Sequence, residues 1–275
     1  MNYLAATGGW EVINNWNISK LLVDEANNLT NVMNNAVKAP KGEIDFVVSS
    51  EVTGIMAHEA VGHPFEADRI LGRESAQAGE SFVKPDMIGR KIGSNLVNVV
   101  DNPLIEGSAG YYRYDEEGVK SKERLLMKKG IINEFLHDRT SAAKMGLKSN
   151  ASARISDNSK EPLSRMANTY VLPGKSTEAS LIKDVKKGIY MKNFMEWNID
   201  DTRFNFKAKG NEAYLIENGE ITKPVLFPNL EVDTITLWTS VAGVGNKKTF
   251  GLVGGDCGKG EPIQGAPVTM GGPSL

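Results

Sequence analysis

The segment GIMAHEAVGHPFEADRI, at residues 54–70, restricts the fold of this chain more than any other. It holds two of the three histidines, with a glutamate after the first, and reads His58-Glu59-x-x-x-His63. Residues four apart lie about 40° apart around an α-helix, but residues five apart lie about 140° apart. A regular helix would therefore point the two imidazoles in different directions.

Two departures from a regular helix would bring the imidazoles together. A π-turn has hydrogen bonds between residues i and i+5, would place both rings on one face, and is frequent at functional sites. Alternatively, the helix ends near Gly62 and His63 leaves it in a non-helical conformation, which Gly62 and Pro64 favour. Either way, the segment is predicted to form a distorted helix.

The rest of the chain has the pattern of an α+β protein with mostly antiparallel hairpins and a few helices. Helical spacing predicts helices at residues 20–37 and 177–187, capped by Ser19 and Ser176. A strand is predicted over residues 43–50, where Ser50 would cap the histidine helix. Further strand-like runs lie at residues 95–102, 107–118, 123–138, 204–209, 212–227 and 234–241.

Two stretches are expected to form loops. Residues 146–168 are polar and lack periodicity, which is typical of a long functional loop. The last 25 residues contain eight glycines and three prolines and are predicted to form a constrained loop.

The composition disfavours several classes of protein. Hydrophobic residues make up 40% and charged residues 24%, and the net charge of −2 is unlike that of a basic nucleic-acid binder. No apolar run approaches the ~18 residues of a membrane span. The N-terminus lacks the pattern of a signal peptide. A single cysteine, Cys257, excludes an internal disulfide and predicts a reducing, cytoplasmic setting.

The two histidines suggest part of a metal site, although they could be ordinary polar residues on a helix. A catalytic zinc ion usually has three protein ligands and one position for water. Candidates for the third ligand are His137, a carboxylate, and Cys257, whose neighbouring glycines allow close approach of the backbone. In such a site Glu59 would act as the general base in the hydrolysis of a peptide bond.

Four motifs, in order along the chain, resemble the TldD/PmbA peptidase family, once called modulators of DNA gyrase. They are HEAVGHPFEAD, SRMANTYVLPG, YLIENGEITKPV and CGKGEP. The resemblance is to the metal-bearing TldD-like branch and extends over most of residues 8–275 through NVVDNP, YDEEG and GIYMKNF. It implies a zinc cofactor held by His58, His63 and Cys257, with Glu59 as the catalytic base.

The same resemblance implies a setting and a substrate. TldD-like proteins are cytoplasmic dimers that often pair with a TldE (PmbA-like) partner, and they cut unfolded or extended peptides bound as an added strand. Family members also have an N-terminal α/β domain ahead of the region matched here. Residues 1–275 are therefore expected to form a single TldD-like C-terminal domain, with neither a nucleic acid nor a membrane as partner.

Further residues near the motifs have two interpretations each. Glu66 and Asp68 match an acidic pair of the family and would orient His58 or His63, or they are solvated charges at a helix end. Arg165, Asn168 and Thr169 would contact a peptide backbone, or they only stabilise the long loop.

Other functions use the same fold or the same chemistry. A non-catalytic modulator or scaffold subunit of a TldD/TldE-type complex would keep the fold without hydrolysis. A small-molecule metallohydrolase such as an amidase would share the chemistry. Two imidazoles and a thiolate favour zinc, although iron or cobalt could occupy the same ligands.

Overall fold

The computed structural model describes residues 4–73 and 80–275. Within these ranges the α-helices are α1 (Trp10–Asn15), α2 (Ile18–Asn35), α3 (Ser50–Ala57), α4 (Ala67–Ile70), α5 (Arg139–Lys144), α6 (Glu178–Lys183) and α7 (Thr234–Thr239). A π-helical turn covers His58–Gly62, and 3-10 turns cover His63–Phe65 and Pro85–Met87. None of the described helices has the length and apolar character required to cross a membrane.

Strands and helices together confirm the predicted α+β class, with strands in four sheets. The strands are β1 (Val37–Lys38), β2 (Asp45–Val48), β3 (Val99–Asp101), β4 (Arg124–Lys128), β5 (Ile131–Ile132), β6 (Ala153–Arg154), β7 (Leu163–Ser164), β8 (Asn168–Val171), β9 (Lys187–Met191), β10 (Phe194–Ile199), β11 (Asn205–Gly210), β12 (Ala213–Glu217), β13 (Glu220–Leu226), β14 (Asn229–Asp233), β15 (Gly251–Lys259) and β16 (Gln264–Gly272). Among the strand pairs described, those of β1 with β13, β2 with β9, and β8 with β16 are parallel, and the others are antiparallel.

A five-stranded sheet, in the order β1-β13-β12-β9-β2, leads the chain into the histidine segment. The predicted β12–β13 hairpin turns at Asn218 and Gly219, both with positive φ (52° and 82°), as a type I′ turn requires. Edge strand β2 runs directly into α3, where the Ser49 side chain accepts a hydrogen bond from the Glu51 backbone N–H. The helix was expected to be capped by Ser50, one residue later.

A six-stranded sheet, in the order β15-β16-β8-β3-β4-β5, packs against α3 and carries Cys257. The prediction of a loop over the last 25 residues is wrong, because β15 and β16 form a nine-residue antiparallel ladder from Gly251 to Gly272. Glycine is needed here for packing as well as for turning. A Cβ on Gly54 of α3 would lie 2.8 Å from the backbone N of Gly271, so helix and strand meet backbone to backbone.

A three-stranded antiparallel sheet, in the order β10-β11-β14, and the short pair β6–β7 complete the strands. The pair β6–β7 lies within residues 146–168, which were expected to form an unstructured loop. A core cluster joins α3 and the π-turn to the sheets, and it includes Val52, Met56 and Val61, with Trp238 of α7.

The predictions of strands at residues 234–241 and 107–118 are also wrong. Residues 234–239 form α7, because Asp233 caps the helix by accepting from the Thr236 N–H. Its buried residues, Thr234, Leu237 and Trp238, have helical spacing. Residues 107–118 form turns. The Asp115 side chain accepts hydrogen bonds from the backbone N–H groups of Glu117 and Val119, which stabilises a loop at this position.

Two predicted helices differ from the observed ones at their ends. Helix α2 begins after Asn17, which is left-handed (φ 45°) and makes no side-chain cap, so Ser19 lies inside the helix. It ends at Asn35 because Val37 pairs with β13. Helix α6 is capped by Thr177, not Ser176, and ends at Lys183, ahead of strand β9.

Candidate metal centre

The helix that carries the two histidines widens at His58. Its last part is the π-turn, in which the His63 N–H donates to the His58 carbonyl five residues earlier. His63 keeps helical dihedral angles (φ −61°, ψ −46°), and Pro64 follows in a 3-10 turn. The π-turn interpretation is therefore confirmed, and the alternative in which His63 leaves the helix is wrong.

The π-turn lies close to the segment that precedes β8. A Cβ on Gly62 would lie 1.8 Å from the Sδ of Met166, which is itself buried. Glycine at position 62 thus allows the widened turn to reach its place in the core.

Three side chains converge at the end of the π-turn. His58 Nε2 lies 3.3 Å and His63 Nε2 3.2 Å from Cys257 Sγ, and the candidate ligand atoms all lie within 4.8 Å of one another. Zn–N and Zn–S bonds of usual length in a tetrahedral site place nitrogen and sulfur about 3.5 Å apart. The three side chains are buried, and both nitrogen–sulfur distances are within about 0.3 Å of that value, so the group could hold one metal ion.

Cys257 reaches this place from the C-terminal half of β15, where it pairs with Ala266 of β16. Of the third ligands that the residues alone left open, Cys257 is the one beside the histidines. His137 lies outside this group, with Ser141 Oγ 3.4 Å from its Nδ1, and burial lowers the pKa of His137 to about 4.

The titration behaviour of the three groups suits metal ligation. Burial lowers the pKa of both His58 and His63, which favours neutral imidazoles. Burial alone would raise the pKa of Cys257, but a proton on His63, the hydrogen bond between the two side chains and the charge of Arg165 outweigh it, so the thiol pKa is lowered. A bound metal ion would take the place of that proton and leave His63 neutral. Neutral imidazole and thiolate are the forms in which these side chains bind metals.

Glu66 lies behind His63 and is fully buried. Its Oε2 is 3.1 Å from His63 Nδ1, 2.7 Å from Arg69 Nε and 3.1 Å from Lys259 Nζ. Burial alone would raise its pKa, but Lys259, His63 and Arg69 hold the pKa of Glu66 well below its usual value. Glu66 is therefore an ionised acceptor that orients the His63 ring. By contrast, His58 Nδ1 is buried without a partner among the described residues.

Asp68 acts on the cluster through Lys259, since its oxygens lie 2.7 and 2.9 Å from Lys259 Nζ. Asp68 also accepts from the backbone N–H groups of Arg69 and Ser164. The prediction that Glu66 and Asp68 are solvated charges does not fit these contacts, because both are buried.

Lys259 was missed at the sequence level, although it belongs to the CGKGEP motif. It follows Cys257 by two residues, so both side chains lie on the same face of β15. This relation is visible only once residues 251–259 are known to form a strand.

Glu59 lies within the π-turn and forms an ion pair with Arg203, with 3.0 Å between Glu59 Oε2 and Arg203 Nη1. Both side chains keep a small exposed fraction, 16% for Glu59 and 13% for Arg203. The two residues lie 144 positions apart, and no sequence pattern connects them.

Arg165 braces the strand that carries Cys257. Its Nη1 donates to the Gln264 carbonyl (3.0 Å), its Nη2 donates to the Cys257 carbonyl, and its Nε lies 3.6 Å from Glu66 Oε1. Arg165 is buried and directed at the protein's own backbone. These contacts favour a structural role over contact with a substrate.

Asn168 and Thr169 are also buried and bonded within the protein. Asn168 Nδ2 donates to the Asn102 carbonyl (2.6 Å), and Thr169 Oγ1 donates to Asp101 (3.0 Å). Their side chains hold β8 against β3 and the turn that follows it. Substrate contact by either residue stays a prediction.

Comparison with known proteins shows which family this chain resembles. A model of the PmbA/TldA metallopeptidase C-terminal domain matches residues 41–275. A metalloprotease of Methanothermobacter thermautotrophicus is 34% identical over 271 residues, which cover 98% of this chain and 56% of that protein. A zinc metalloprotease TldD homolog of Saccharolobus solfataricus is 30% identical over 236 residues, covering 85% and 50% respectively.

The fold is also shared with solved structures. TldE from Thermococcus kodakarensis superposes with a TM-score of 0.65 over 88% of this chain and 51% of that chain, at 17% identity. The chain spans about half the length of the curated relatives it matches. With most of its residues matched by the family model, the chain belongs to the TldD/PmbA metallopeptidase family.

Proposed function

We propose that this chain is a zinc-dependent peptidase that hydrolyses peptide bonds in unfolded or extended peptides. His58, His63 and Cys257 would hold the metal, and Glu59 would act as the general base. The observation that carries the proposal is the convergence of three buried ligand atoms within 4.8 Å, next to a carboxylate on the same turn. That carboxylate keeps an exposed fraction of 16%, so a reacting molecule can approach it.

A bound zinc ion would polarise the substrate carbonyl and lower the pKa of water to about 7. Glu59 takes the proton of the attacking water and passes it to the nitrogen of the leaving amine. Glu66 accepts from His63 Nδ1, which fixes the ring with Nε2 towards Cys257. Lys259 neutralises Glu66 and Asp68, so the negative charge behind the histidines is balanced.

An extended peptide has a place to bind at the edge of the six-stranded sheet. Strand β15 is the edge strand of that sheet and carries Cys257 in its C-terminal half. An edge strand offers backbone N–H and C=O groups, which bind a peptide with little dependence on its side chains. Binding of this kind suits unfolded segments, whose backbone groups are free.

The family resemblance supports the remaining parts of the proposal. Residues 1–275 would act as a single TldD-like C-terminal domain in the cytoplasm, within a homodimer or a heterodimer with a TldE/PmbA-like subunit. The fold is shared with a TldE structure. Zinc is preferred over iron or cobalt because a thiolate with two imidazoles suits it.

Substitution of Glu59→Gln tests the proposal. The zinc-loaded chain should cleave an unstructured, fluorescently labelled polypeptide such as casein, and Glu59→Gln should lose this activity because the amide cannot accept the proton. Elemental analysis should give about one zinc per chain in both proteins and a lower content in Cys257→Ala. A zinc-loaded wild type that cleaves nothing would instead support the non-catalytic scaffold.

A further inference from the structure

Arg203 is the cation closest to Glu59 in the described contacts, and it comes from a different sheet. It lies in the turn between β10 and β11 of the three-stranded sheet, whereas Glu59 lies on the helix after β2. The ion pair of 3.0 Å thus brings a third part of the fold to the candidate base.

The turn that presents Arg203 is held in one conformation by its own side chains. Asp200 accepts from the backbone N–H groups of Phe204 and Asn205, and its carbonyl accepts from the Arg203 N–H. Thr234 at the start of α7 donates its hydroxyl to the Arg203 carbonyl (3.0 Å). The backbone of this turn is therefore fixed without any help from the Arg203 side chain.

Arg203 itself has a left-handed backbone, with φ of 63°. This conformation is uncommon for residues other than glycine, and asparagine and aspartate tolerate it better than arginine does. The turn would form more easily with glycine, so the arginine at this position favours a use for its side chain.

The guanidinium has unused donors beside the base. An arginine carries five N–H groups, of which the pair with Glu59 uses one on Nη1. Nη2 makes no hydrogen bond to the described residues, and the side chain keeps an exposed fraction of 13%, so the Nη2 N–H groups are open to a bound substrate. Nε is also unpartnered among the described residues, but it is buried. Donors withdrawn from water and aimed at a reacting group are most effective when no protein acceptor occupies them.

We propose that Arg203 is a catalytic residue of the peptide hydrolysis proposed above, and that its free N–H groups stabilise the negative charge that develops on the substrate carbonyl oxygen. The inference rests on that proposed function. One N–H of Nη1 stays with Glu59 and keeps the carboxylate oriented, while the N–H groups of Nη2 donate to the reacting oxygen.

The chemical step assigns each bond and proton. The oxygen of water bonds to the carbonyl carbon, its proton goes to Glu59, and the carbonyl π pair moves onto oxygen. The N–H groups of Arg203 donate to that oxygen while it is negative. When the carbonyl re-forms, the C–N bond breaks and the Glu59 proton goes to the departing nitrogen. Arg203 keeps all of its protons throughout.

The test compares binding of a transition-state mimic with binding of an ordinary peptide. A phosphinic pseudotripeptide has a negative oxygen where the reacting oxygen would be. Its dissociation constant for the zinc-loaded chain should rise about 100-fold or more in Arg203→Met, as removal of one oxyanion donor commonly costs 10²–10³ in rate. The amine product of cleavage, a peptide with a free amino group at the cleavage point and no charged oxygen there, should bind both proteins within about threefold. The value of kcat for casein should fall with the pseudotripeptide affinity, while KM changes little.

Controls separate this role from a structural one. Lys207→Met removes a cation of the same sheet that pairs with exposed Glu231, and it should leave both dissociation constants unchanged. Arg203→Lys keeps the charge, and it should remain at least tenfold weaker for the mimic because one ammonium does not reproduce the fork of donors. Thermal unfolding and zinc content of each variant establish that it is folded and loaded.

The outcomes are distinguishable. Equal loss of mimic and product binding in Arg203→Met, or no loss of either, would overturn the role of Arg203 and leave the peptidase intact. A wild type that neither cleaves casein nor binds the mimic would overturn the proposed function, and the assignment of Arg203 with it.

Discussion

At the scale of single residues, Lys259 has an unusual position for a lysine. Its Nζ is completely buried and lies within 3.1 Å of both Glu66 and Asp68. A buried charge is tolerated only when opposite charges and hydrogen bonds replace water. Lys259 therefore supports the candidate metal centre, because its positive charge compensates the buried carboxylates of Glu66 and Asp68.

Replacement of Lys259 by methionine should destabilise the fold strongly. The side chain keeps its length but leaves two buried carboxylates short of one positive charge, a change that typically costs about 3–5 kcal/mol. Urea unfolding at neutral pH measures the loss. Lys207→Met, which breaks the exposed pair with Glu231, should change the unfolding midpoint little.

A second substitution checks the cause of that loss. Addition of Asp68→Asn to Lys259→Met removes one of the uncompensated charges and should recover part of the stability. If the double variant is no more stable than the single one, the lysine contributes through packing of its aliphatic chain.

Residues of the candidate site differ in how far the sequence predicts them. His58, Glu59 and His63 are adjacent in the chain, and their spacing alone indicates a shared site. The residues alone left several candidates for the third ligand, and the family resemblance favoured Cys257. Arg203 had no signal, because pairing across 144 positions depends on how two sheets meet.

At the scale of elements, glycine decides how the metal-bearing helix packs. Gly54 contacts the backbone of β16, where a Cβ would lie 2.9 Å from Gly271 Cα. Gly62 contacts only a side chain, that of Met166. The first contact cannot relax without moving a strand, whereas the second can relax by moving or shortening one methionine.

The two glycines should therefore respond differently to alanine. Gly54→Ala is expected to cost about 1–3 kcal/mol of unfolding free energy through overpacking. Gly62→Ala should be damaging alone, but the cost of adding Met166→Ala should be smaller in that background than in wild type. A double-mutant cycle by urea unfolding measures this coupling. Independent, additive effects of the two substitutions would show that the clash is absent.

Secondary structure was predictable where one residue type dominates the local preference. The Asn218-Gly219 hairpin and strand β2 were confirmed because turn chemistry and alternation act over a few residues. The β15–β16 hairpin was missed because glycine has low strand propensity. Its ladder packs closely against α3, where a Cβ on Gly272 would lie 2.5 Å from Cγ2 of Thr53. Helix α7 was missed for a similar reason, since Leu237 and Trp238 are apolar enough to suggest a buried strand.

At the scale of the whole molecule, the candidate centre joins two segments from opposite ends of the described chain. His58 and His63 lie on the helix after β2, and Cys257 lies 194 positions beyond His63. The unfolded chain does not hold these groups together, so an ion that binds all three binds the folded state alone. Binding of the metal and folding are therefore linked.

Zinc should raise the thermal stability of the wild-type chain. At a free zinc concentration of 100 times the dissociation constant, the gain is about 2.7 kcal/mol, which corresponds to roughly 5–10 °C for a chain of this size. Differential scanning calorimetry before and after chelation measures it. Cys257→Ala should lose most of the gain because the third ligand is missing. His137→Gln should keep it, since His137 lies outside the cluster. An equal gain in wild type and Cys257→Ala would mean that zinc binds to other residues, and loss of the gain in His137→Gln would place the third histidine among the ligands.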